Sequence, residues 1–198
     1  MIKNIVFDLG NVLVQFNPKA FLNEMIHDEL IEKQLYSFYF ESNLWQIYDQ
    51  GILTNEQMIQ KGIQTYPQYE QWIRKLMNEW VEYVIPIQEN LEYINSLQQY
   101  NQYIVSDIPE YNYLYLMENF NFLKTRKGIY SFQEKIVKPN KKMFTQLEEK
   151  YKINPRESVF IDDKIENVQA AMQVGFYGIH LKQPLNLKNE LEEFLHEM

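Results

Sequence analysis

Short apolar runs alternate along much of the chain with longer segments of helical periodicity. The apolar runs occupy residues 2–7, 103–105, 158–161 and 176–181. Apolar residues recur at helical spacing over residues 86–99, 140–151 and 165–174, and Gly175 follows the last of these segments. Strands that alternate with helices are typical of proteins in which helices cover a parallel sheet. The pattern therefore predicts an α/β fold with a parallel sheet.

The segment from about residue 17 to residue 85 interrupts this alternation. It is rich in aromatic residues, contains no convincing strand, and includes Thr54-Asn55-Glu56-Gln57, which has the form of a capping box at the start of a helix. We interpret the segment as a helical insertion after the first strand. This interpretation predicts an α/β core made of residues 1–16 and 85–198, and a helical domain at residues 17–84.

Composition narrows the class of protein. The 198 residues are 45% hydrophobic and carry a net charge of -8, which is typical of a globular protein that repels nucleic acid and anionic membranes. Cysteine is absent, so disulfides and thiolate metal sites are excluded. Asp8 interrupts the first apolar run too early for a signal peptide, and no apolar segment is long enough for a membrane span. We expect a cytoplasmic protein, a monomer or weak homodimer, that binds neither nucleic acid nor membranes.

Polar residues whose side chains could take part in catalysis or binding follow several of the predicted strands. They are Asp8 after the first run, Ser106 and Asp107 after the second, Lys138 before the helical segment at residue 140, and Asp162 and Asp163 after the third. Each alone has an ordinary explanation as a turn residue, a helix cap or a solvated lysine. In a parallel sheet, however, the carboxyl ends of the strands meet at one edge. We therefore expect an acid, a hydroxyl, a lysine and an acid pair at four neighbouring strand ends.

The expected cluster of carboxylates needs a compensating positive charge. Two carboxylates about 4 Å apart repel by about 4 kcal/mol at an effective dielectric constant near 20. A hard divalent cation with oxygen ligands removes this repulsion, and Mg²⁺ is the usual cation beside phosphate. Together with Lys138 and the Ser106 hydroxyl, such a cation would bind a phosphoryl group and leave Asp8 free to attack phosphorus. These residues predict phosphoryl transfer through an aspartyl-phosphate.

Four segments resemble the motifs of the haloacid dehalogenase superfamily of phosphohydrolases. They read FDLGNVLV from residue 7, YIVSD from residue 103, VKPNKKMF from residue 137 and VFIDDKIENVQAAMQVGF from residue 159, and they extend over the whole chain. The resemblance implies a Rossmann-like parallel sheet core with a helical cap of the first type inserted after the first strand. Within the superfamily, the DLGNV form is similar to bacterial sugar-phosphate phosphatases of the α-glucose-1-phosphatase kind.

The same resemblance implies roles for individual residues. Mg²⁺ would be held by the Asp8 carboxylate, by the backbone carbonyl of Gly10 and by an acid of the fourth motif, either Asp163 or Asp162. Asp8 and Lys138 would be the catalytic residues. Ser106 and Lys138 would bind the phosphate. We also expect Asp107 and Asn11 at the phosphate site, although Asp107 stands where relatives often have asparagine and brings an extra negative charge.

One departure from the family pattern affects the expected substrate. Most phosphatases of the superfamily have a second aspartate two residues after the nucleophile, where this chain has Gly10. That aspartate is a general acid and base, and such groups contribute about 10²–10⁴-fold to the rate. Without that acid, the rate would fall least for substrates whose leaving group departs without a proton, such as an anomeric sugar phosphate. A cap residue or a water could also replace the acid.

We therefore expect a Mg²⁺-dependent phosphatase of a small phosphorylated metabolite, in particular a sugar phosphate. Two alternatives stay open. A 2-haloacid dehalogenase uses the same aspartate nucleophile and needs no general acid. It also needs no metal, however, and the pair Asp162 and Asp163 would then be unexplained. A catalytically weak protein that binds a phosphorylated ligand is favoured only by Gly10.

Overall fold

A five-stranded parallel sheet forms the centre of the protein, as the alternating pattern predicted. The computed structural model describes residues 1–198. The strands are β1 (Asn4–Phe7), β2 (Asn101–Ser106), β3 (Lys127–Tyr130), β4 (Ser158–Asp162) and β5 (Tyr177–His180). Their order across the sheet is β3-β2-β1-β4-β5, and every neighbouring pair is parallel. Because β1 lies between β2 and β4, the carboxyl ends of these three strands are neighbours.

Helices cover both faces of the sheet and form a separate layer above its carboxyl edge. Between β1 and β2 lie α1 (Pro18–Ile26), α2 (Glu29–Tyr36), α3 (Leu44–Asp49), α4 (Asn55–Thr65), α5 (Glu70–Glu79) and α6 (Gln88–Ser96). The remaining helices are α7 (Glu110–Asn119), α8 (Asn121–Lys124), α9 (Ser131–Glu134), α10 (Lys142–Tyr151), α11 (Ile165–Met172) and α12 (Leu187–Glu197). None of them is both long enough and apolar enough to cross a membrane.

The central strand β1 is buried on both faces, which explains its continuous apolar sequence. Ile5 and Phe7 belong to a hydrophobic cluster that continues into the helices between β1 and β2. Val6 points to the opposite face and packs in a second cluster with Phe144 of α10 and Phe160 of β4. Alternate side chains of a strand point to opposite faces, so both clusters hold β1 in place. The residue that follows β1, Asp8, is therefore attached to a rigid support.

The structure differs from the sequence prediction at strand β3. This strand has the sequence KGIY and pairs with β2 at the edge of the sheet. Its first residue, Lys127, is charged and exposed, and Gly128 has no side chain to contribute to a pattern. Only the last two residues are large and buried, so the apolar run is too short to be recognised. Helices α7 and α12 were also not predicted.

The segment between β1 and α6 is helical, as its sequence indicated. The predicted capping box is present at the start of α4, where the Gln57 N–H donates to Thr54 Oγ1 over 3.2 Å and the Thr54 N–H donates to Gln57 Oε1 over 2.8 Å. The chain leaves and re-enters the sheet layer side by side, because the Gln15 N–H donates to the Ile85 carbonyl and the Ile87 N–H donates to the Leu13 carbonyl. The helical unit is thus connected to the sheet through two paired segments.

Asn90 of α6 fixes the loop that follows Asp8. Its amide group, which is buried, donates hydrogen bonds to the Val12 carbonyl over 2.7 Å and to the Pro184 carbonyl over 2.9 Å. Buried carbonyl groups need such partners, because they have lost their contacts with water. The side chain therefore ties the loop of residues 9–14 to the helix layer on the same face.

We expect Asn90→Leu to lower the free energy of unfolding by about 1–3 kcal/mol, because two carbonyl groups lose their donors at similar side-chain volume. Urea denaturation measures the change. Glu89→Gln on the exposed side of the same helix is the control and should change stability by less than about 0.5 kcal/mol. Equal stability of the two variants would show that the bonds of Asn90 do not support the loop.

Candidate active site

A buried lysine joins two of the aspartates at the carboxyl edge of the sheet. Lys138 Nζ lies 2.7 Å from Asp8 Oδ1 and 2.7 Å from Asp162 Oδ2. The Lys138 side chain is 1% exposed and that of Asp162 is fully buried, whereas Asp8 keeps a small exposed area. The backbone N–H of Asp8 donates to the Ile161 carbonyl of β4 over 2.9 Å. The ion pairs therefore connect the ends of β1 and β4 to a segment that follows β3.

The position of Lys138 corrects one expectation. The sequence placed this lysine at a strand end, but β3 ends eight residues earlier at Tyr130 and is followed by the short helix α9. Lys138 lies in the loop between α9 and α10. Its backbone N–H donates to Asp107 Oδ1 over 2.9 Å, which anchors this loop to the end of β2. A side chain on a loop reaches the sheet edge here because Asp107 holds its backbone.

The acceptor positions of Asp162 are occupied by the protein. Asp162 Oδ1 accepts hydrogen bonds from the Lys164 N–H over 2.8 Å and from Asn167 Nδ2 over 3.1 Å. Oδ2 accepts from Lys138 Nζ and from Asn167 Nδ2 over 3.0 Å. Three donor groups thus contact the two oxygens of Asp162, and both oxygens have partners. Asp162 is therefore a well-satisfied buried acceptor whose contacts orient Lys138.

Asp163 follows Asp162 in the chain and is held by contacts with Asn11 and His180. Asn11 Nδ2 donates to Asp163 Oδ2 over 3.1 Å, and the Asp163 carbonyl lies 3.0 Å from His180 Nε2. Asn11 has a φ of 54°, a left-handed conformation that asparagine tolerates better than most residues, and its Oδ1 accepts the Phe16 N–H over 3.1 Å. Unlike Asp162, Asp163 is partly exposed and lines the cavity described below.

Ser106 is the last residue of β2 and lies at the same edge. Its side chain is buried, it lines the cavity, and its hydroxyl makes only a long contact of 3.4 Å with the Asp107 carbonyl. The structure thus brings together the sequence-predicted residues at one edge: Asp8, Gly10, Asn11, Ser106, Asp107, Lys138 and Asp163 line a single cavity, and Asp162 lies directly behind them.

Burial and mutual repulsion shape the protonation of these groups. Burial raises the pKa of Asp8 to about 7, a rise that Lys138 opposes and that the neighbouring Asp162 and Asp163 increase. Burial also raises the pKa of Asp163, although the hydrogen bond from Asn11 lowers it. The site holds more negative charge than one lysine compensates.

Lys138 stays charged in spite of its burial. Burial alone would lower the pKa of its ammonium group, but Asp162, Asp8 and Asp107 raise it above the ordinary value of lysine. The neighbouring carboxylates therefore favour the charged form of Lys138 beside Asp8.

The donor set fits a divalent cation. Asp8, Asp162 and Asp163 each have a carboxylate oxygen within 4.8 Å of the others. Oxygen ligands of this kind suit Mg²⁺, which commonly binds proteins through one or two carboxylates and keeps several waters. Since three donor groups already contact the two oxygens of Asp162, Asp8 and Asp163 are the carboxylates with more free acceptor capacity.

The cavity has a volume of about 140 Å³ and two chemically different walls. Polar residues of the sheet edge form its floor. The helical unit and the segments that connect it supply an apolar wall that includes Phe16, Trp45, Trp80 and Val84. The ring centroids of Trp45 lie 6.0 Å from Phe16 and 5.0 Å from Trp80, so the wall is a packed aromatic cluster. A ligand that binds the floor through a charged group would therefore place an apolar or ring-shaped part against the wall.

Four polar cavity residues were not among the predicted site residues: Asp49, Asn112, Lys164 and Asn167. Asn167 and Lys164 follow the acid pair in the fourth motif, so their proximity could have been inferred from spacing. Asp49 and Asn112 lie on α3 and α7, and no local pattern marks them. Only the packing of those helices over the sheet brings them to the cavity.

Comparison with known proteins identifies the family. Residues 5–179 match the family described as haloacid dehalogenase-like hydrolase. The chain therefore belongs to the haloacid dehalogenase-like hydrolases, as the four motifs indicated.

Individual relatives agree with this assignment. The chain is 26% identical to the sesquiterpene phosphatase astK of Aspergillus oryzae, over 98% of this chain and 96% of that protein. A family enzyme of Bacteroides thetaiotaomicron, a mutant solved with magnesium and inorganic phosphate, has a TM-score of 0.72 at 19% identity and covers 90% of this chain and 93% of its own. The L-2-haloacid dehalogenase of Xanthobacter autotrophicus has a TM-score of 0.65 at 16% identity. The match covers 90% of this chain and 76% of the dehalogenase. The two structures establish a common fold.

We expect Lys138→Met to lower the free energy of unfolding by about 3–5 kcal/mol, because it leaves buried carboxylates without their cation. Chemical denaturation in the presence of a chelator measures the loss. Lys141→Met, the same substitution at an exposed site three residues later, should cost less than about 0.5 kcal/mol. Similar losses in both variants would contradict the buried ion-pair network.

The two neighbouring acids are expected to respond differently to Mg²⁺. Mg²⁺ at one hundred times its dissociation constant should stabilise the wild type by about 2.7 kcal/mol, and Asp163→Asn should lose most of this gain while keeping its stability without metal. Asp162→Asn should be destabilised without metal, because it weakens the buried contacts of Lys138. Thermal unfolding with and without Mg²⁺ separates the two effects, and the reverse pattern would exchange the two roles.

Proposed function

We propose that the protein is a Mg²⁺-dependent phosphatase that hydrolyses a small phosphorylated metabolite, in particular a sugar phosphate. The observation that carries the proposal is the position of Asp8. Its carboxylate lies on a rigid strand end, in a cavity, 2.7 Å from the ammonium group of a buried lysine and within reach of a second carboxylate, that of Asp163. This arrangement combines a nucleophile, a cation and a metal-binding group on one side of a small ligand.

The reaction would proceed in two displacements. An oxygen of Asp8 attacks phosphorus, a bond forms between them, and the bond from phosphorus to the leaving oxygen breaks with its electron pair on that oxygen. Lys138 compensates the charge on the phosphoryl oxygens, and the Ser106 hydroxyl donates a hydrogen bond to one of them. Water then attacks phosphorus and releases phosphate and the free Asp8 carboxylate.

Mg²⁺ would be held by Asp8, Asp163 and the carbonyl of Gly10, and when bound it neutralises charge on the phosphoryl group. The remaining acids have supporting roles in this proposal. Asp162 orients the Lys138 ammonium, and Asp107 anchors the Lys138 backbone. Asn11, which the sequence grouped with the phosphate ligands, fixes Asp163 through its amide. Its contribution to phosphate binding, like that of Asp107, would come from the groups that it holds in place.

The cavity supports a small leaving group of mixed polarity. Its volume of about 140 Å³ is below the range of about 300–1,000 Å³ that is typical of drug-sized ligands. Trp45 and Phe16 offer apolar ring faces, whereas Asn112 is buried on the wall and its Oδ1 has no hydrogen-bond partner. A sugar ring could pack against the aromatic side chains and donate a hydroxyl hydrogen bond to Asn112 Oδ1. The relative astK is named a sesquiterpene phosphatase, so an isoprenoid phosphate is the second substrate class for testing.

We also propose that residues 17–84 form a cap domain over a core of residues 1–16 and 85–198. The paired segments at residues 13–15 and 85–87 support this division, because the chain leaves the core just after the first segment and re-enters it at the second. The cavity between the parts is lined from both sides. In this arrangement the cap would select the leaving group, while the core binds the phosphate.

Phosphate release from sugar 1-phosphates, sugar 6-phosphates, an isoprenoid phosphate and an aryl phosphate tests the proposal. We expect turnover that requires Mg²⁺, is lost with chelator and falls more than about 10³-fold in Asp8→Asn, because the nucleophile is removed. Asp28→Asn, the same change at an exposed helix cap, should leave turnover unchanged.

Parallel measurements on the same protein separate the alternatives. Chloride release from a 2-chloro acid without Mg²⁺ would identify a dehalogenase instead. Stabilisation by Mg²⁺ and phosphate without turnover of any substrate would identify a binding protein. Phosphate release that is indifferent to Asp8 would contradict the nucleophile assignment.

A further inference from the structure

The active-site cavity contains an acid that the proposed reaction has not used. Asp49 is the last residue of α3 and lines the same cavity as Asp8. The other acids of the cavity, Asp107 and Asp163, belong to the sheet edge and are engaged with Lys138 and with Asn11. Asp49 comes from the opposite wall, where the leaving group of a phosphate bound at Asp8 would lie.

The backbone of Asp49 is anchored to the core. The hydroxyl of Ser131, which is fully buried at the start of α9, donates to the Asp49 carbonyl and accepts the Ile108 N–H over 2.8 Å. Two residues after Asp49, the Gly51 carbonyl accepts a hydrogen bond from Lys135 Nζ over 2.8 Å. Gly51 has a φ of 62°, which turns the chain away from the cavity directly after α3. The helical unit therefore holds Asp49 at a defined place above the sheet edge.

The surroundings of Asp49 favour its protonated form. Burial raises the pKa of Asp49 well above its usual range, and repulsion from Asp107 and Asp8 adds to the rise. Lys164 and Lys138 act in the opposite direction and reduce it. A carboxyl group with a raised pKa keeps its proton to higher pH and can donate it to a substrate.

We propose that Asp49 is the general acid of the reaction and supplies from the helical unit the proton that Gly10 cannot supply. The inference rests on the proposed phosphatase function and deepens it. General acids of the family were expected two residues after the nucleophile, and Gly10 has no side chain to fill that role. The geometry places the acid on the other wall of the cavity, 41 residues after the nucleophile Asp8.

The proton and the electrons balance in both displacements. When the bond from phosphorus to the leaving oxygen breaks, the electron pair stays on that oxygen, which takes the proton of the Asp49 carboxyl group. Asp49 is then a carboxylate. When water attacks the phosphorus of the aspartyl-phosphate, Asp49 takes one proton from that water, and the bond between phosphorus and Asp8 breaks. Both carboxyl groups return to their initial states.

The assignment has a consequence for substrate range. With an acid in place, the enzyme is not restricted to leaving groups that depart without a proton, and phosphates of ordinary alcohols become substrates. The value of the acid depends on the leaving group, because an alkoxide needs a proton far more than a nitrophenolate does. This difference distinguishes a lost proton donor from a general disturbance of the site.

We would measure kcat/KM of wild type and Asp49→Asn on an alkyl phosphate and on p-nitrophenyl phosphate, since this constant reports the step in which the leaving group departs. We expect kcat/KM to fall by about 10²–10⁴-fold on the alkyl phosphate and by less than about tenfold on the aryl phosphate. Glu41→Gln, which removes an exposed acid just before α3, should change neither value. The aryl substrate should also show a burst of nitrophenol in Asp49→Asn, because the water step has lost its base.

A second variant tests the replacement directly. A Cβ atom added to Gly10 would meet no atom closer than Asp8 Oδ2 at 3.9 Å, so the backbone position tolerates a side chain. Gly10→Asp combined with Asp49→Asn should recover much of the turnover on the alkyl phosphate. Equal losses on both substrates, or no loss on either, would overturn the assignment of Asp49. If wild type releases no phosphate from either substrate, the proposed function itself fails, and that result is distinguishable from a failure of Asp49 alone.

Discussion

The interaction on which the rest of the site depends is the buried contact of Lys138 with Asp8 and Asp162. A buried ion pair is poor evidence for stability, because the loss of hydration of the charges can exceed their attraction. Here Asn167 and the Lys164 N–H complete the partners of Asp162, so its charge is well compensated. Asp8 has the lysine alone on its inner side and is open to the cavity. The chain maintains a costly arrangement at the one place where a charged oxygen is useful, which is typical of a functional site.

Parallel strand order makes this contact possible. Residues 8, 138 and 162 are far apart in sequence, and β1 places the first beside the last because it pairs with β4. The lysine reaches them from a loop because Asp107, at the end of the other neighbour of β1, holds the loop backbone. Each acid thus has a different task in one network. The remaining negative charge suits a divalent cation, and such a cation together with Lys138 would give an acidic chain a local site for an anionic group.

The helical unit adds what the sheet edge lacks. The edge supplies charge and hydrogen-bonding groups, but it has no aromatic surface and, because of Gly10, no carboxyl group two residues after the nucleophile. The aromatic wall around Trp45 and Trp80 excludes water from one side of the cavity, which strengthens the electrostatic interactions inside it. Ser131 ties this unit to the core through the Asp49 carbonyl, so its position over the floor is part of the fold.

The sequence by itself determined the α/β class, four of the five strands, the helical insertion and the family, because periodicity and motif spacing are local properties of the chain. It also singled out Asp8, Ser106, Lys138 and the acid pair, since each lies in such a motif, and the structure places them at one edge of the sheet. It did not predict β3, whose two large apolar residues make no pattern, or the loop position of Lys138. It could not separate Asp162 from Asp163, which are adjacent in sequence and differ only in the partners that surround them. Asp49 and Asn112 have no local signal at all. Only the tertiary structure decided these points, because burial and the proximity of other charges give such side chains their chemistry.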